Sequence, residues 1–529
     1  HVNSADIQAR SLNALQPVVK RGDAFLHNSP YHGNTHAADW TILVPVVDDE
    51  GVHRLTCLAK AHLGDTGNSQ PTTYFAEATD MYNEGALLFP AIKAMENYEH
   101  NQDIINMCRL RVRAPDDWWG DYLAMIGAAR TGERQLMAVG EEYGWDVIEE
   151  FITEWFDYSE RRMEAAIRKL PAGTAEGVVT HDPFPGFKEG GYPVKTKVTV
   201  DPDEGRITVD LTDNDDCMPN GMNQSEATAY GGALIGVMCS IGAMDHDVDV
   251  PQNSGAFRRI EVKLREGCAV GIPKHPTSCS AATLSFCERL QNSVTRAFSN
   301  LAEGIGQAEA TTTLAPAAGV ISGMDPRPGK GVFVNQIFYG YAGGPATPKS
   351  DGWVSFGNMS SMGGVTRDSV EISELQYPIR VWKQSFVKDT EGAGTYRGVQ
   401  GVHCEYEAVG TSVTNYYSMD SAVYAAKGVR GGLAGAPASC KVQAADGSFR
   451  EAPNVGLCVL EDGERMISVW GGAGGYGSPL ERDPLRVQKD VKGNLVSRER
   501  AESVYGVVMD DNLEVDTEKT AAKRQTLFT

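Results

Sequence analysis

The hydrophobic period of this chain changes several times along its length, and that succession excludes any architecture built from a single motif. Two β-branched runs, WTILVPVV (40–47) and RLTCLAKAHL (54–63), flank the turn-forming DDEGVH, which reads as two strands and a tight connection. From Asp116 the period becomes helical. DDWWGDYLAMIGAARTGERQLMAVGEEYG closes at Gly144, and a second long helix follows with Asp146 as its N-cap. On that helix Val147, Ile148, Phe151, Ile152, Trp155, Met163, Ile167 and Leu170 fall on or near one face and read as core. Alternation returns in YPVKTKVTVDPDEGRITVDLTD, a hairpin turning at Asp203, Glu204 and Gly205, and helices are expected near ATAYGGALIGVMCSIG and over 283–303. From about 310 to 480, short apolar runs broken by Gly pairs indicate a β-rich body, and the tail EKTAAKRQ reads as helix. The expected class is α+β, with a strand-and-helix region over 1–190, a middle α+β region over 191–310 and a β-rich region over 311–529.

Charge narrows the function classes. With 48 basic against 70 acidic side chains, the formal charge is −22, which repels both a phosphate backbone and an anionic membrane surface. Nucleic acid and membrane are therefore not expected as partners. No run of about eighteen apolar residues and no signal peptide stand out. The ten Cys contain no CxxC pair, the usage of a reducing compartment, and a cytoplasmic location is expected.

The stretch HNSPYHGNTHAADW (27–40) holds three of the eleven histidines, His27, His32 and His36. His36 and Asp39 precede the first strand, His62 ends the second, and Asp65 follows three residues on. If the two strands pair as a hairpin, its open end gathers these residues. Two imidazoles with one or two carboxylates suit Zn²⁺ or Mn²⁺ with positions left open for water or substrate; hydrogen-bonded loop histidines are the other reading, and spacing alone leaves both open. Other motifs are poorer. GGAGGYG (471–477) is followed by Ser478 and Pro479 where a dinucleotide fold needs a helix, and GMDPRPGKG has the wrong spacing for a phosphate loop. Cys279 and Cys287 read as small core residues, and Arg130 and Asp121 as packing and salt-bridge residues.

Ordered blocks along nearly the whole chain carry a resemblance. GDAFLHNSPYHGNTHAAD, AHLGDTG, YNEGALLFP, RAPDDWWGDYLAMIGAARTGERQL, NSGAFRRIEV, YPIRVWKQSFVKDTEGAGTYRGVQG and GGAGGYGSPLERDPLRV are similar to the hydantoinase B/oxoprolinase family. The resemblance implies one subunit of an ATP-dependent enzyme that opens cyclic amides such as hydantoins, lactams or 5-oxoproline. It also implies an actin-like, hydantoinase A-type partner that binds ATP and Mg, in a hetero-oligomer such as (αβ)2 acting on a small molecule. Carried over by motif, the Zn or Mn ligands are His36, Asp39 and His62. His62 and Asp65 are the candidate catalytic residues, Asp65 orienting a ligand or acting as base; a plain turn Asp is the alternative. Three positions depart from the family pattern: Ser29 for an Asp, Leu63 for a second His, and Asn34 for a Gly, where Asn tolerates a left-handed turn. The chain also begins well inside the family pattern, so an upstream segment carrying a further acidic ligand is expected elsewhere. Two rival functions remain: a subunit of an ATP-dependent ketone carboxylase, and a non-catalytic scaffold for the ATP-binding subunit.

Overall fold

A computed structural model describes residues 4–528 except 188, 245–248, 313, 341–342 and 355–365. The first sheet is antiparallel, ordered β3-β2-β1-β4-β5, from β1 (Ala24–His27), β2 (Asp39–Val47), β3 (His53–His62), β4 (Ile92–Glu96) and β5 (Glu99–His100). The expected hairpin is β2–β3. Asp48 fixes its turn by accepting from the Glu50 and Val52 N–H groups and from the Arg54 guanidinium. The register then sets Asp39 opposite His62 at the open end. Pleat parity separates core from site. Trp40, Ile42 and Val44, with Cys57, Ala59 and Ala61, pack against Trp118, Tyr122, Met125 and Ala129 of the helix Pro115–Tyr143. Asp39 and Thr41 on β2, and Lys60 and His62 on β3, have the opposite parity.

The next helix, Trp145–Ile167, starts directly after Gly144, whose φ of 83° suits glycine. Asp146 therefore sits in the first turn, not at the cap, where its charge still favours a helix N-terminus. The expectation that this helix's apolar face is all core holds only for its later turns. Met163 and Ile167 are buried, with Leu170 just beyond, whereas Val147, Phe151 and Trp155 are exposed. A shared face does not require that something cover it.

A second sheet runs β6 (Gly173–His181), β7 (Tyr192–Asp201), β8 (Arg206–Asp210) and β9 (Ile260–Lys263), antiparallel except for the parallel pair β8–β9. The β6–β7 hairpin spans residue 190, so this sheet draws on both of the first two expected regions. The helix Ser285–Leu301 lies on β6 and β7, so close that a Cβ at Gly177 would stand 1.9 Å from the Ser293 carbonyl oxygen. Against it packs the helix Glu226–Met244. Contrary to the sequence reading, this helix is long and apolar enough to cross a membrane. Most of it is buried in the core, as befits a helix apolar on all sides within a large body.

The C-terminal body is a sandwich. One sheet, β11-β10-β14-β17, uses β10 (Val320–Met324), β11 (Val332–Gln336), β14 (Val413–Ser418) and β17 (Val455–Leu460). The other, β12-β13-β18-β15-β16, uses β12 (Ile379–Phe386), β13 (Val402–Ala408), β15 (Ser439–Gln443), β16 (Phe449–Glu451) and β18 (Arg465–Val469). Ile321, Phe333, Tyr417 and Leu460 from the first meet Cys404, Tyr406 and Met466 from the second, with Trp470 just past β18. GMDPRPGKG forms the β10–β11 turn. GGAGGYG leaves β18 into a crossing of backbones: Gly472, Gly474 and Gly475 donate N–H bonds to the carbonyls of Ala436, Glu309 and Leu433. The tail folds as the helix Thr517–Phe528. The α+β class holds.

Candidate metal centre

Of the three histidines in the opening stretch, one enters the cluster. His32 shares a hydrogen bond of 2.8 Å with Ser29. His27 is fully buried on β1, where its Nδ1 accepts from the Ala91 N–H at 3.1 Å. Burial, with the nearby charges of His32 and Lys60, pushes its imidazole down to about 4. His36 joins Asp39 and His62, with one ligand atom from each lying within 4.8 Å of the other two.

The loop that carries His36 is stapled from within. The Asn34 side-chain amide donates to the carbonyls of Asn28, His36 and Asp39 at 3.1, 2.7 and 2.8 Å. The left-handed residue of this turn is Gly33, with φ of 91°, so Asn34 serves through its side chain and not through a left-handed backbone. Leu63, in place of a family His, is a core residue.

Hydrogen bonds decide what the three side chains present to one another. His36 Nδ1–H donates to the Ser280 carbonyl at 2.9 Å, which leaves the Nε2 lone pair facing Asp39 Oδ1 at 3.1 Å. The Thr73 hydroxyl donates to the Leu63 carbonyl at 2.8 Å, so at His62 Nε2, 3.2 Å away, it accepts. His62 Nδ1 is thereby left with its lone pair toward the same Asp39 Oδ1, also at 3.1 Å. Three electron-pair donors crowd one point. Such a contact is repulsive unless a proton or a cation lies between them, and ligands about 2.0–2.1 Å from a Zn²⁺ ion stand about 3 Å apart. The donor set fits Zn²⁺ or Mn²⁺.

The surroundings favour charge at Asp39. Burial opposes it, yet the proximity of His36, Lys60 and His62 holds the carboxyl well below the usual range. Thr35 and Lys60 engage the second oxygen, Lys60 Nζ at 3.6 Å. Burial pushes down both the His62 imidazole and the Lys60 ammonium, against the pull of Asp39. The Tyr74 ring stacks on both imidazoles, 5.5 Å from His36 and 5.0 Å from His62, and its hydroxyl donates to Gln336 Oε1 at 3.3 Å. His36 is 1 % exposed, Asp39 13 % and His62 27 %, so the cluster opens on the His62 side.

Asp65 is not brought to this cluster. Its carboxylate accepts from the Gly67 N–H and from both the N–H and the guanidinium of Arg113, the arrangement of a turn residue. Arg130 bonds Glu133 and the Gly22 and Asp23 carbonyls. Cys279 and Cys287 are buried, and burial pushes both thiols up. Sequence reading missed Lys60, Thr73, Tyr74 and Ser280. Lys60 carried a usable signal, two residues before His62 on one strand face; the others carried none.

A family model for hydantoinase B/oxoprolinase matches residues 1–479. The chain belongs to the hydantoinase B/oxoprolinase family. Within that family it is 29 % identical over 520 residues to the caprolactamase subunit beta of Pseudomonas jessenii, covering 96 % of this chain and 86 % of that protein. The crystal structure of the ATP-dependent caprolactamase from Pseudomonas jessenii aligns with a TM-score of 0.82 at 25 % identity, over 99 % of this chain and 89 % of that one. A nucleotide-free acetone carboxylase structure aligns with a TM-score of 0.85 at 18 % identity, over 100 % of this chain and 75 % of that one. The same fold thus occurs in a caprolactamase and in an acetone carboxylase.

Proposed function

We propose that this chain is the metal-bearing subunit of an ATP-dependent hydrolase of cyclic amides and works with a separate ATP-binding subunit. The observation that carries the reading is the convergence of His36 Nε2, His62 Nδ1 and Asp39 Oδ1, with both imidazole tautomers fixed from behind. Bound there, Zn²⁺ or Mn²⁺ supplies Lewis acidity toward a substrate oxygen and acidifies water. Asp39 contributes the negative charge, Ser280 and Thr73 hold the imidazoles in register, and the Tyr74 ring shields one side from solvent. Substrate approaches on the open side at His62. Asp65 acts as a positioning residue, fixing the turn after β3 against Arg113.

An unstrained lactam resists hydrolysis, which gives ATP a role: phosphorylation of the amide oxygen by the partner, with release of ADP, activates the ring carbon toward water. The C–N bond then breaks with a proton passing to the ring nitrogen, and a second water hydrolyses the resulting acyl phosphate to carboxylate and phosphate. The stretch weighed as a phosphate loop, GMDPRPGKG, is a hairpin turn, and the one weighed as a dinucleotide motif, GGAGGYG, is a backbone crossing, consistent with ATP binding on that partner. The test is elemental mass spectrometry on the purified protein beside a His36→Ala, His62→Ala double variant, followed by ATP-dependent turnover of caprolactam, hydantoins and 5-oxoproline. About one equivalent of Zn or Mn per chain, absent from the variant, is expected. A folded, metal-free wild type in the assembled complex refutes the reading. A second reading, a ketone carboxylase subunit, is favoured by the TM-score of 0.85 to acetone carboxylase. Stoichiometric bicarbonate consumption and a carboxylated product select it.

A further inference from the structure

Between residues 135 and 160 the chain carries eight carboxylates and no Lys or Arg. Most of that segment is the helix Trp145–Ile167, whose first turns present Val147, Phe151, Trp155 and Tyr158 to solvent, 53 %, 62 %, 44 % and 37 % exposed. Spacings of four, four and three residues place them in one stripe. The rings stack in succession, with centroids 6.3 Å apart from Phe151 to Trp155 and 5.5 Å from Trp155 to Tyr158. Beside them Glu154, Arg161, Asp249 and Pro251 complete a groove of about 550 Å³, with Arg161 a basic side chain at its edge.

The carboxylates flanking this stripe divide into two groups. Glu149 pairs with Arg54, and Asp157 and Glu160 pair with Arg258 and Arg259. Asp146, Glu150 and Glu154 are exposed and make no ion pair among the described residues. Helical geometry lines these three along the flank of the stripe away from the buried residues, each one position before Val147, Phe151 and Trp155. Stacked aromatics beside unpaired charge are the composition of a recognition surface with its anchors already in place. A second copy of this chain would oppose carboxylate to carboxylate, and its net charge of −22 adds to that repulsion. A nucleic acid or an anionic membrane meets the same obstacle.

We propose that this face docks an amphipathic helix of the ATP-binding partner subunit, apolar along the stripe and bearing Lys or Arg where it meets Asp146, Glu150 and Glu154. The identity of the occupant rests on the two-subunit reading above; the chemistry of the surface does not. Phe151 and Trp155 supply the anchors and the acidic flank sets orientation and on-rate.

The test uses the full chain. Its affinity for the ATP-binding subunit is measured by biolayer interferometry at about 50 and 300 mM salt, where exposed charges are screened to different degrees. Phe151→Ala with Trp155→Ala is expected to weaken the complex about 30-fold or more, and Glu150→Lys with Glu154→Lys about tenfold with loss of the salt dependence. Phe449→Ala, an exposed aromatic elsewhere, serves as the control. A Leu/Lys amphipathic peptide of about 18 residues, beside a Leu/Glu counterpart, probes the surface without the subunit. Wild type is expected to bind only the Leu/Lys peptide, and the aromatic double variant neither. A double variant that melts like wild type and assembles with wild-type affinity overturns the proposal, as does a homodimer that the double variant dissolves. If the Leu/Lys peptide binds through the stripe but the ATP-binding subunit does not bind at all, the two-subunit reading and the named occupant fall together while the basic-helix chemistry stands.

Discussion

Around Arg289 every charge has met its complement, whereas around Asp39 three electron-pair donors face one another. Arg289 is 1 % exposed and bonds both oxygens of Asp420, at 2.6 and 2.9 Å, as well as the Tyr424 carbonyl. Asp182 beside it accepts from three consecutive N–H groups, of Ala422, Val423 and Tyr424. That cluster ties the helix Ser285–Leu301 to the loop after β14 and, among the described residues, leaves no donors gathered on a common centre. The cluster at the end of β2–β3 uses similar residue types, but its second partners orient lone pairs inward. A saturated network holds a fold together; an inward-facing one awaits something to bind.

Breaking the saturated network should produce the largest effect on stability. Arg289→Met strands Asp420 in the core and is expected to cost about 3–5 kcal/mol, read as a lower urea midpoint at unchanged m. His62→Ala, at the half-open edge of the other cluster, should shift the same midpoint by no more than about 1 kcal/mol. Equal losses would erase the distinction between the two clusters.

Acid separates the two regions next. His27 has a folded-state pKa of about 4, below its unfolded value of about 6.5, so its contribution is complete above pH 6.5 and is lost as pH falls toward 4, about 3 kcal/mol in all. Asp420 is also depressed, because Arg289 and His181 outweigh its burial, so its contribution persists above the unfolded carboxylate range near pH 4 and disappears only below it. Hydrogen exchange over a pH series should therefore show the first sheet loosening before the Arg289 region, and His27→Asn should abolish the upper transition.

Smaller changes probe the inward-facing cluster itself. Thr73→Val removes the acceptor that fixes the His62 tautomer and should weaken Zn²⁺ binding about 10–100-fold in calorimetric titration, as loss of such outer partners does elsewhere. Lys60→Met removes a cation 3.6 Å from Asp39 and should tighten Zn²⁺ binding by about fivefold, a modest effect at the effective dielectric of a partly exposed site. A weaker site after Lys60→Met would mean that Lys60 mainly orients Asp39.

The parts of this molecule legible in its sequence were those set by local period and turn chemistry. The β2–β3 hairpin, and with it the meeting of Asp39 and His62, follows from two β-branched runs and one turn. The helix around Trp155 was equally legible, but not the solvent on its apolar face, since periodicity names a face and not its cover. Asp65 was legible as a turn residue or a ligand; Arg113, which decides between them, comes from the short linker between two helices, 48 residues on. The Ser280 carbonyl and the Tyr74 ring depend on tertiary proximity alone, and no spacing announces them.

The acceptor for His36 lies 244 residues downstream of it. At ribosomal speeds of about 5–20 residues per second, synthesis delivers Ser280 about 12–50 s after His36. Throughout that interval the β2–β3 hairpin can exist with Asp39 and His62 in register while the His36 ring is still free to choose its tautomer. The order of manufacture, from amino to carboxyl end, thus lets the His36 tautomer be set long after the strand register that presents Asp39 to His62.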